Sequence, residues 1–245
     1  MTADDRSNVS GLPEAQFEPG SNGQVLKNRL GILSQQDMDA AEARALAQAM
    51  DILMRTYGET HWFTAADLCD CHCIWLGEIY EWAGHYRQVN ISKDGFLFAA
   101  AAQVPALMDQ FEREVLRRCT PCVFAHHTEV VRALAETHVE LVLIHPFRDG
   151  NGRVARALST LMALQAGLPL LDFSMIARKS KHAYIAAIQA GLDKHYVPME
   201  RLLEEIIEQS HPSSLPPGSS LVQIGYGRLI RPRRRFLLRS NWRHW

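Results

Sequence analysis

Apolar residues recur at helical spacing along most of this chain. Over 35–55, Ala, Leu and Met return every three or four positions, and Ser34 stands where a helix cap is needed. A second helical stretch, 65–82, opens on Thr64 with Asp67 three residues on, the pattern of a capping box, and Gly84 is expected to close it. Helical spacing resumes over 101–118 and breaks at Thr120-Pro121. Thr128 is then expected to cap a strongly apolar helix running to about Ile144 through Val131, Leu134, Val139, Leu141 and Leu143. The next residues, HPFRDGNGR at 145–153, contain Pro146 and Gly150, which forbid a plain continuation of that helix. The pattern is helical again over 151–165, with Gly167 as its stop, and twice more over about 179–192 and 198–210. One stretch differs. In YRQVNISKDGFLFA (86–99), Val89, Ile91, Phe96 and Phe98 flank the turn pair Asp94-Gly95, which predicts a β-hairpin. The fold class that follows is mainly α, a helical bundle carrying one hairpin.

The ends differ from this body. Residues 1–23 are rich in Gly, Pro, Ser and Asn and read as an irregular arm; 24–210 form the body; 211–220, HPSSLPPGSS, read as a linker to an Arg-rich tail that closes the chain at 245. The chain's net charge of −1 hides an asymmetry: residues 211–245 hold seven arginines and no acid, so the rest nets −8. An acidic body argues against a nucleic-acid-binding globule, and leaves the tail, with Tyr226, Phe236, Trp242 and Trp245 among its arginines, as the one segment suited to nucleic acid. The simpler reading of that tail is an extension without part in catalysis. MTADDRSNVS has no secretory pattern, and the longest apolar stretch, 158–176, is interrupted by Gln165, Gly167 and Asp172, so a cytoplasmic protein without a membrane span is expected. Five cysteines, Cys69, Cys71, Cys73, Cys119 and Cys122, are an odd count that disfavours a disulfide framework; buried free thiols are the default reading and a zinc site the alternative.

The chemistry concentrates in 145–156. A helix start near Asn151 offers unpaired backbone N–H groups, and Gly150 and Gly152 let an anion approach them closely, which together suit a phosphate. Arg153 and Arg156, three apart, share a helix face and can grip further phosphate oxygens. Asp149 beside them is placed to hold Mg²⁺, and His145 can take a proton from an attacking hydroxyl near neutral pH. Singly, each has an ordinary explanation as a turn former, cap or solvated charge; it is their convergence in twelve residues that points to nucleotide chemistry. The P-loop and dinucleotide-binding motifs are absent.

HPFRDGNGRVAR resembles the signature of the Fic family, HxFx[DE]GNGRxxR, at every specified position, and VLKNRLGI, WAGHYRQVNISKDGFLFA and the segment around 184–196 look like the same family. The resemblance spans roughly 19–209 and implies a Fic-type helical bundle whose hairpin is a flap beside the active-site loop. The implied activity is protein adenylylation, the transfer of AMP from ATP to a Ser, Thr or Tyr hydroxyl of a target protein, with ATP and Mg²⁺ as substrate and cofactor. By the same resemblance His145 is the general base and Asp149 holds Mg²⁺. Phe147 anchors the nucleotide loop in the core, and Gly150, Asn151 and Gly152 bind the α-phosphate. Arg153 meets the β-phosphate, Arg156 the γ-phosphate, and Tyr184 lines the base pocket. The flap tip Ser92, Lys93, Asp94 and Gly95 aligns the target, with Ile91 and Phe96 as a clamp. Gly152 matches the AMP-transferring branch, whereas relatives with Lys there act as kinases. Many relatives carry an inhibitory [ST]xxxE[GN] helix; the nearest match, Ser10 to Glu14, lacks the final residue and contains Pro13. The expectation is therefore a toxin silenced by a separate small antitoxin that supplies a Glu; type II topoisomerases are among the targets of close relatives. A catalytically silent nucleotide-binding module and transfer of UMP, GMP or phosphocholine stay open as alternatives.

Overall fold

The computed structural model describes residues 11–93, 95–174, 176 and 181–210, so the tail after 210, the first ten residues and Asp94 lie outside the described residues. Seven principal helices and a two-stranded hairpin are present among them: α1 (Gln35–Thr56), α2 (Ala65–Leu76), β1 (Ser92–Lys93), β2 (Phe96–Leu97), α3 (Val104–Phe111), α4 (His127–Ile144), α5 (Asn151–Gln165), α6 (Lys181–Ala190) and α7 (Val197–Ser210). None of the described helices is long and apolar enough to cross a membrane.

The local signals act where the spacing placed them, with two exceptions. Ser34 accepts the Asp37 N–H at 3.4 Å, and Thr64 and Asp67 form a reciprocal capping box at the start of α2. Helix α2 ends at Leu76 rather than continuing to residue 82: Gly77 follows, and the chain passes through turns to Gly84, whose φ of +82° only glycine adopts freely. The start of α4 is also earlier than expected. His126, not Thr128, is the cap position; Glu129 reaches back to the His126 N–H at 3.1 Å while its own N–H donates to the His126 carbonyl at 3.0 Å.

Helix α4 is the central element. Val130, Val131, Ala133, Leu134, Ala135, Val139 and Leu141 are all buried, because α5, α7 and α3 pack on different sides of it. Helix α5 returns along α4 and buries nearly every side chain from Val154 to Ala163. This pair of buried helices makes the bend between them, residues 145–150, the best-supported loop in the molecule. Residues 11–26 lie on the same body: Val25 is buried, and Glu14 is buried with its carboxylate accepting the Gln88 N–H at 2.6 Å. The cysteines do not gather. Cys71, Cys119 and Cys122 are buried free thiols, Cys69 is half-buried and Cys73 is exposed, and no metal-holding group of His, Cys, Asp or Glu exists among the described residues.

Candidate active site

The bend between α4 and α5 is closed by its own side chains. Asn151 accepts the Phe147 N–H and donates to the Phe147 carbonyl, both at 2.8 Å, so its side-chain amide shapes the loop and its backbone N–H is left at the helix start. Phe147 is completely buried and stacks on His72, with ring centroids 4.0 Å apart and planes 5° apart. His72 was not foreseen as part of the site. Its Nδ1 accepts the Gly84 N–H at 2.8 Å, which leaves Nε2 to donate to the Asp149 carbonyl at 3.1 Å. Burial pushes its pKa down to about 4, so it serves as a neutral strut under the loop.

Gly150 has φ +81°, and a Cβ there would sit 2.5 Å from the Trp75 ring. The loop therefore needs glycine twice over, for its left-handed backbone and for the room. Gly150→Ala is expected to destabilise the protein by about 2–4 kcal/mol through backbone strain and overpacking, lowering Tm by roughly 5–15 °C in a thermal melt. A melt within 1 °C of wild type would show the loop to be looser than described.

Gly150 is the residue before α5, and no side chain caps that helix, so its first N–H groups face outward unclaimed by a cap. They open into a pocket lined by Lys93, Phe96 and Phe98 of the hairpin, by His145, Asp149, Gly152, Arg153 and Arg156, and by Val142, Tyr184, Ile185, Ile188 and Gln189. The pocket thus has a cationic floor and an apolar far end.

The two arginines differ in kind. Arg153 is held by the buried Glu42 of α1 and by Asp149 at 3.3 Å, and lies 4.5 Å over Trp75. Burial opposes its charge, but Glu42 and Asp149 outweigh that and raise its pKa. Glu42 itself is fixed by the Tyr80 hydroxyl at 2.7 Å and carries the Trp75 Nε1–H on its carbonyl. Arg156 is 5% exposed and no carboxylate neighbours it: Tyr184 and Arg153 are the ionisable groups that act on it. Burial lowers its pKa to about 10, which leaves it a charged guanidinium with no counter-ion among the described residues.

Asp149 offers a half-exposed carboxylate, with Oδ1 accepting the Gly150 N–H at 2.7 Å. A half-exposed carboxylate at the mouth of an anion pocket fits Mg²⁺, which keeps most of its waters and takes its other ligands from phosphates.

His145 closes α4 in the left-handed region, φ 55° and ψ 58°. Its Nδ1 lies 3.1 Å from the Val142 carbonyl, which can only accept, so the neutral ring carries its proton on Nδ1 and a lone pair on Nε2. Burial, with Arg87 and Lys93 nearby, pushes its pKa down to about 4, against smaller opposing effects of the Val142 bond and Asp149. Tyr184 is fixed from behind: its hydroxyl donates to His138 Nε2 at 2.8 Å, while His138 Nδ1 donates to Ser159 Oγ at 3.0 Å and Ser159 donates to the Ala155 carbonyl at 2.9 Å. His138 and Ser159 are further residues that spacing did not reveal, since they lie on different helices.

The hairpin pairs Ser92 with Leu97 and Lys93 with Phe96, and Gly95 at its tip has φ +81°. Alternation puts Lys93, Phe96 and Phe98 on the pocket side. Ile91, expected with Phe96 as a clamp, and Ser92, expected at the flap tip, line a separate depression with Ala15, Gln88 and Arg148, while Leu97 is 72% exposed.

The model of the Fic/DOC family matches residues 62–163. A Fic protein of Salmonella typhimurium is 32% identical over 161 residues, covering 62% of this chain and 73% of that protein. The chain belongs to the Fic family. The protein adenylyltransferase Fic of Culex quinquefasciatus is 26% identical over 188 residues, covering 76% of this chain but 36% of its own length, so the Fic chain described here spans about a third of that relative. Among solved structures, the ADP-bound N-terminal Fic domain of a Bartonella quintana cell filamentation protein matches with a TM-score of 0.64 and 26% identity over 80% of this chain and 95% of that one. The AMPPNP-bound Bartonella tribocorum effector BepC matches with a TM-score of 0.63, and at 23% identity speaks for the Fic fold alone, over 80% of this chain and 97% of that one.

Proposed function

We propose that this Fic chain transfers the AMP moiety of ATP to a hydroxyl group of a target protein and releases pyrophosphate. The observation that carries the reading is Arg156, a buried cation without a carboxylate partner among the described residues, opening into the same pocket as the uncapped start of α5 and His145. A cation kept in that state calls for an anionic ligand, and a chain of phosphates lying from the helix start toward Arg156 supplies one. The names of the relatives, protein adenylyltransferases, and the nucleotides in the neighbouring structures support ATP as that ligand.

In this mechanism Nε2 of His145 accepts the proton of the target hydroxyl as the oxygen attacks the α-phosphorus. The N–H groups of Asn151 and Gly152 stabilise charge growing on the α-phosphoryl oxygens, and Arg153 and Arg156 hold the leaving pyrophosphate. Mg²⁺, held by Asp149, would neutralise phosphate charge. Lys93 and Phe96 face the pocket from the hairpin and align the target segment, which joins the hairpin as an added strand. Tyr184, Ile185 and Ile188 receive the base.

Regulation follows from Arg156. Glu14, the one candidate for an internal brake, is engaged at Gln88 and Arg148 instead. A separate small protein that places a glutamate on Arg156 would exclude the γ-phosphate, the arrangement of a toxin with its antitoxin.

Incubation with ATP labelled at the α-phosphorus is expected to mark a protein band covalently, and ATP labelled at the γ-phosphorus is expected to leave it unmarked. Label arriving only from the γ position would replace this reading with a kinase.

A further inference from the structure

The hairpin touches the proposed base directly. The Phe98 ring lies on the His145 imidazole with centroids 3.7 Å apart and planes 19° apart, and Phe96 meets Phe98 edge-on at 5.0 Å. Phe98 is itself tied to the foot of the hairpin, since its N–H donates to the Ile91 carbonyl at 3.2 Å and the next carbonyl, Ala99, accepts from Arg87 at 2.6 Å.

We propose that Phe98 is a positioning residue for the transfer reaction: lying flat on His145, it holds the imidazole with Nε2 toward the pocket and keeps water off the ring face, so that a correctly seated hairpin and a neutral base occur together. This rests on the reading of His145 as the base. Among the described residues the imidazole has a single hydrogen bond, Nδ1 to Val142, which fixes one edge of the ring. Phe98 covers one of its faces.

The charged groups bearing on His145 come from three places: Arg87, whose Nε donates to the His145 carbonyl at 2.7 Å, Lys93 of β1, and Asp149 of the loop. The two cations disfavour an imidazolium and Asp149 favours it. An aromatic face over an imidazolium also stabilises it, by roughly half a pKa unit, whereas loss of hydration works the other way and can reach about 3–5 units at full burial. Shielding therefore wins, and removing Phe98 should raise the His145 pKa.

The test is an NMR titration of the His145 side chain in the full chain. Wild type is expected to titrate near 4. Phe98→Ala is expected to move the midpoint up by about one unit or more toward the free value, Phe98→Tyr to keep it low, and Phe98→Leu to fall between. The acid limb of α-labelled transfer should move with it, so that the rate of Phe98→Ala relative to wild type is lower by about twofold or more at about pH 5 than at about pH 8. If the alanine variant does not fold, the tyrosine and leucine variants carry the comparison. A midpoint that does not rise on loss of the ring overturns the role of Phe98, whatever the identity of the base. A midpoint that rises while transfer survives His145→Ala overturns the base assignment, and with it any part for Phe98 in the reaction.

Discussion

His145→Ala is expected to slow transfer from ATP by about 10²–10⁴-fold while leaving the fold in place. The reason lies in the orientation of one ring. Val142 takes the Nδ1 proton, so Nε2 holds the lone pair, and burial keeps the ring neutral well below pH 7. A base with a depressed pKa is already unprotonated at neutral pH, and it is aimed before the substrate arrives. Alanine removes the lone pair and keeps the backbone bond from residue 145 to Leu141. A left-handed alanine costs about 1–2 kcal/mol, so the variant should still melt cooperatively. Nucleotide affinity should change little, because in the proposed arrangement the phosphates meet α5 and the arginines rather than the imidazole. The measurement is single-turnover transfer of α-label beside nucleotide binding. A rate within threefold of wild type, with binding intact, would place the base elsewhere.

Arg87→Ala should produce the largest loss of stability of any single change discussed, about 3–5 kcal/mol, or a fall in Tm of roughly 6–20 °C. Arg87 is 2% exposed, and its guanidinium donates to four carbonyls: His145 at 2.7 Å, Val89 at 2.9 Å, Ala99 at 2.6 Å and Ile144 at 3.4 Å. Two of these end α4, where the helix leaves carbonyls without partners and where a cation is favoured. The other two are the feet of the hairpin. Alanine strands all four acceptors and leaves a void, and each buried unpaired acceptor costs on the order of 1–3 kcal/mol before relaxation and water entry reduce the sum. Arg87→Lys is expected to recover part of this, since an ammonium can reach one or two of the carbonyls but cannot match the fork. Thermal unfolding of the three proteins decides it. An alanine variant within about 1 kcal/mol of wild type would mean that water replaces the guanidinium without loss.

Arg87 also shows why a site can be legible while its support is not. The motif residues His145, Asp149, Gly150, Gly152, Arg153 and Arg156 are continuous in sequence, and a helix end followed by glycines and a new helix start implies an anion site from local geometry alone. Their spacing brings them to one pocket because helix periodicity and the bend leave few alternatives. Glu42, His72 and Phe98 lie far from the motif in the chain, and His138 lies about two turns before it on α4. Each could be an ordinary core or surface residue, and only packing brings them to Arg153, the loop, Tyr184 and the base.

By itself the sequence determined the helical bundle, the hairpin and the glycine-containing bend between two helices, because caps, periodicity and turn residues act over a few positions and their energies do not depend on distant partners. The end of α2 at Leu76, the capping of α4 by His126, and the place of Ile91 beside a second depression were decided in three dimensions. So were the contrast between a paired Arg153 and an Arg156 without a carboxylate among the described residues, and the seating of Phe98 on His145. Charge pairing and ring stacking fall off within a few ångströms, so they exist only once the fold has brought remote residues to that range.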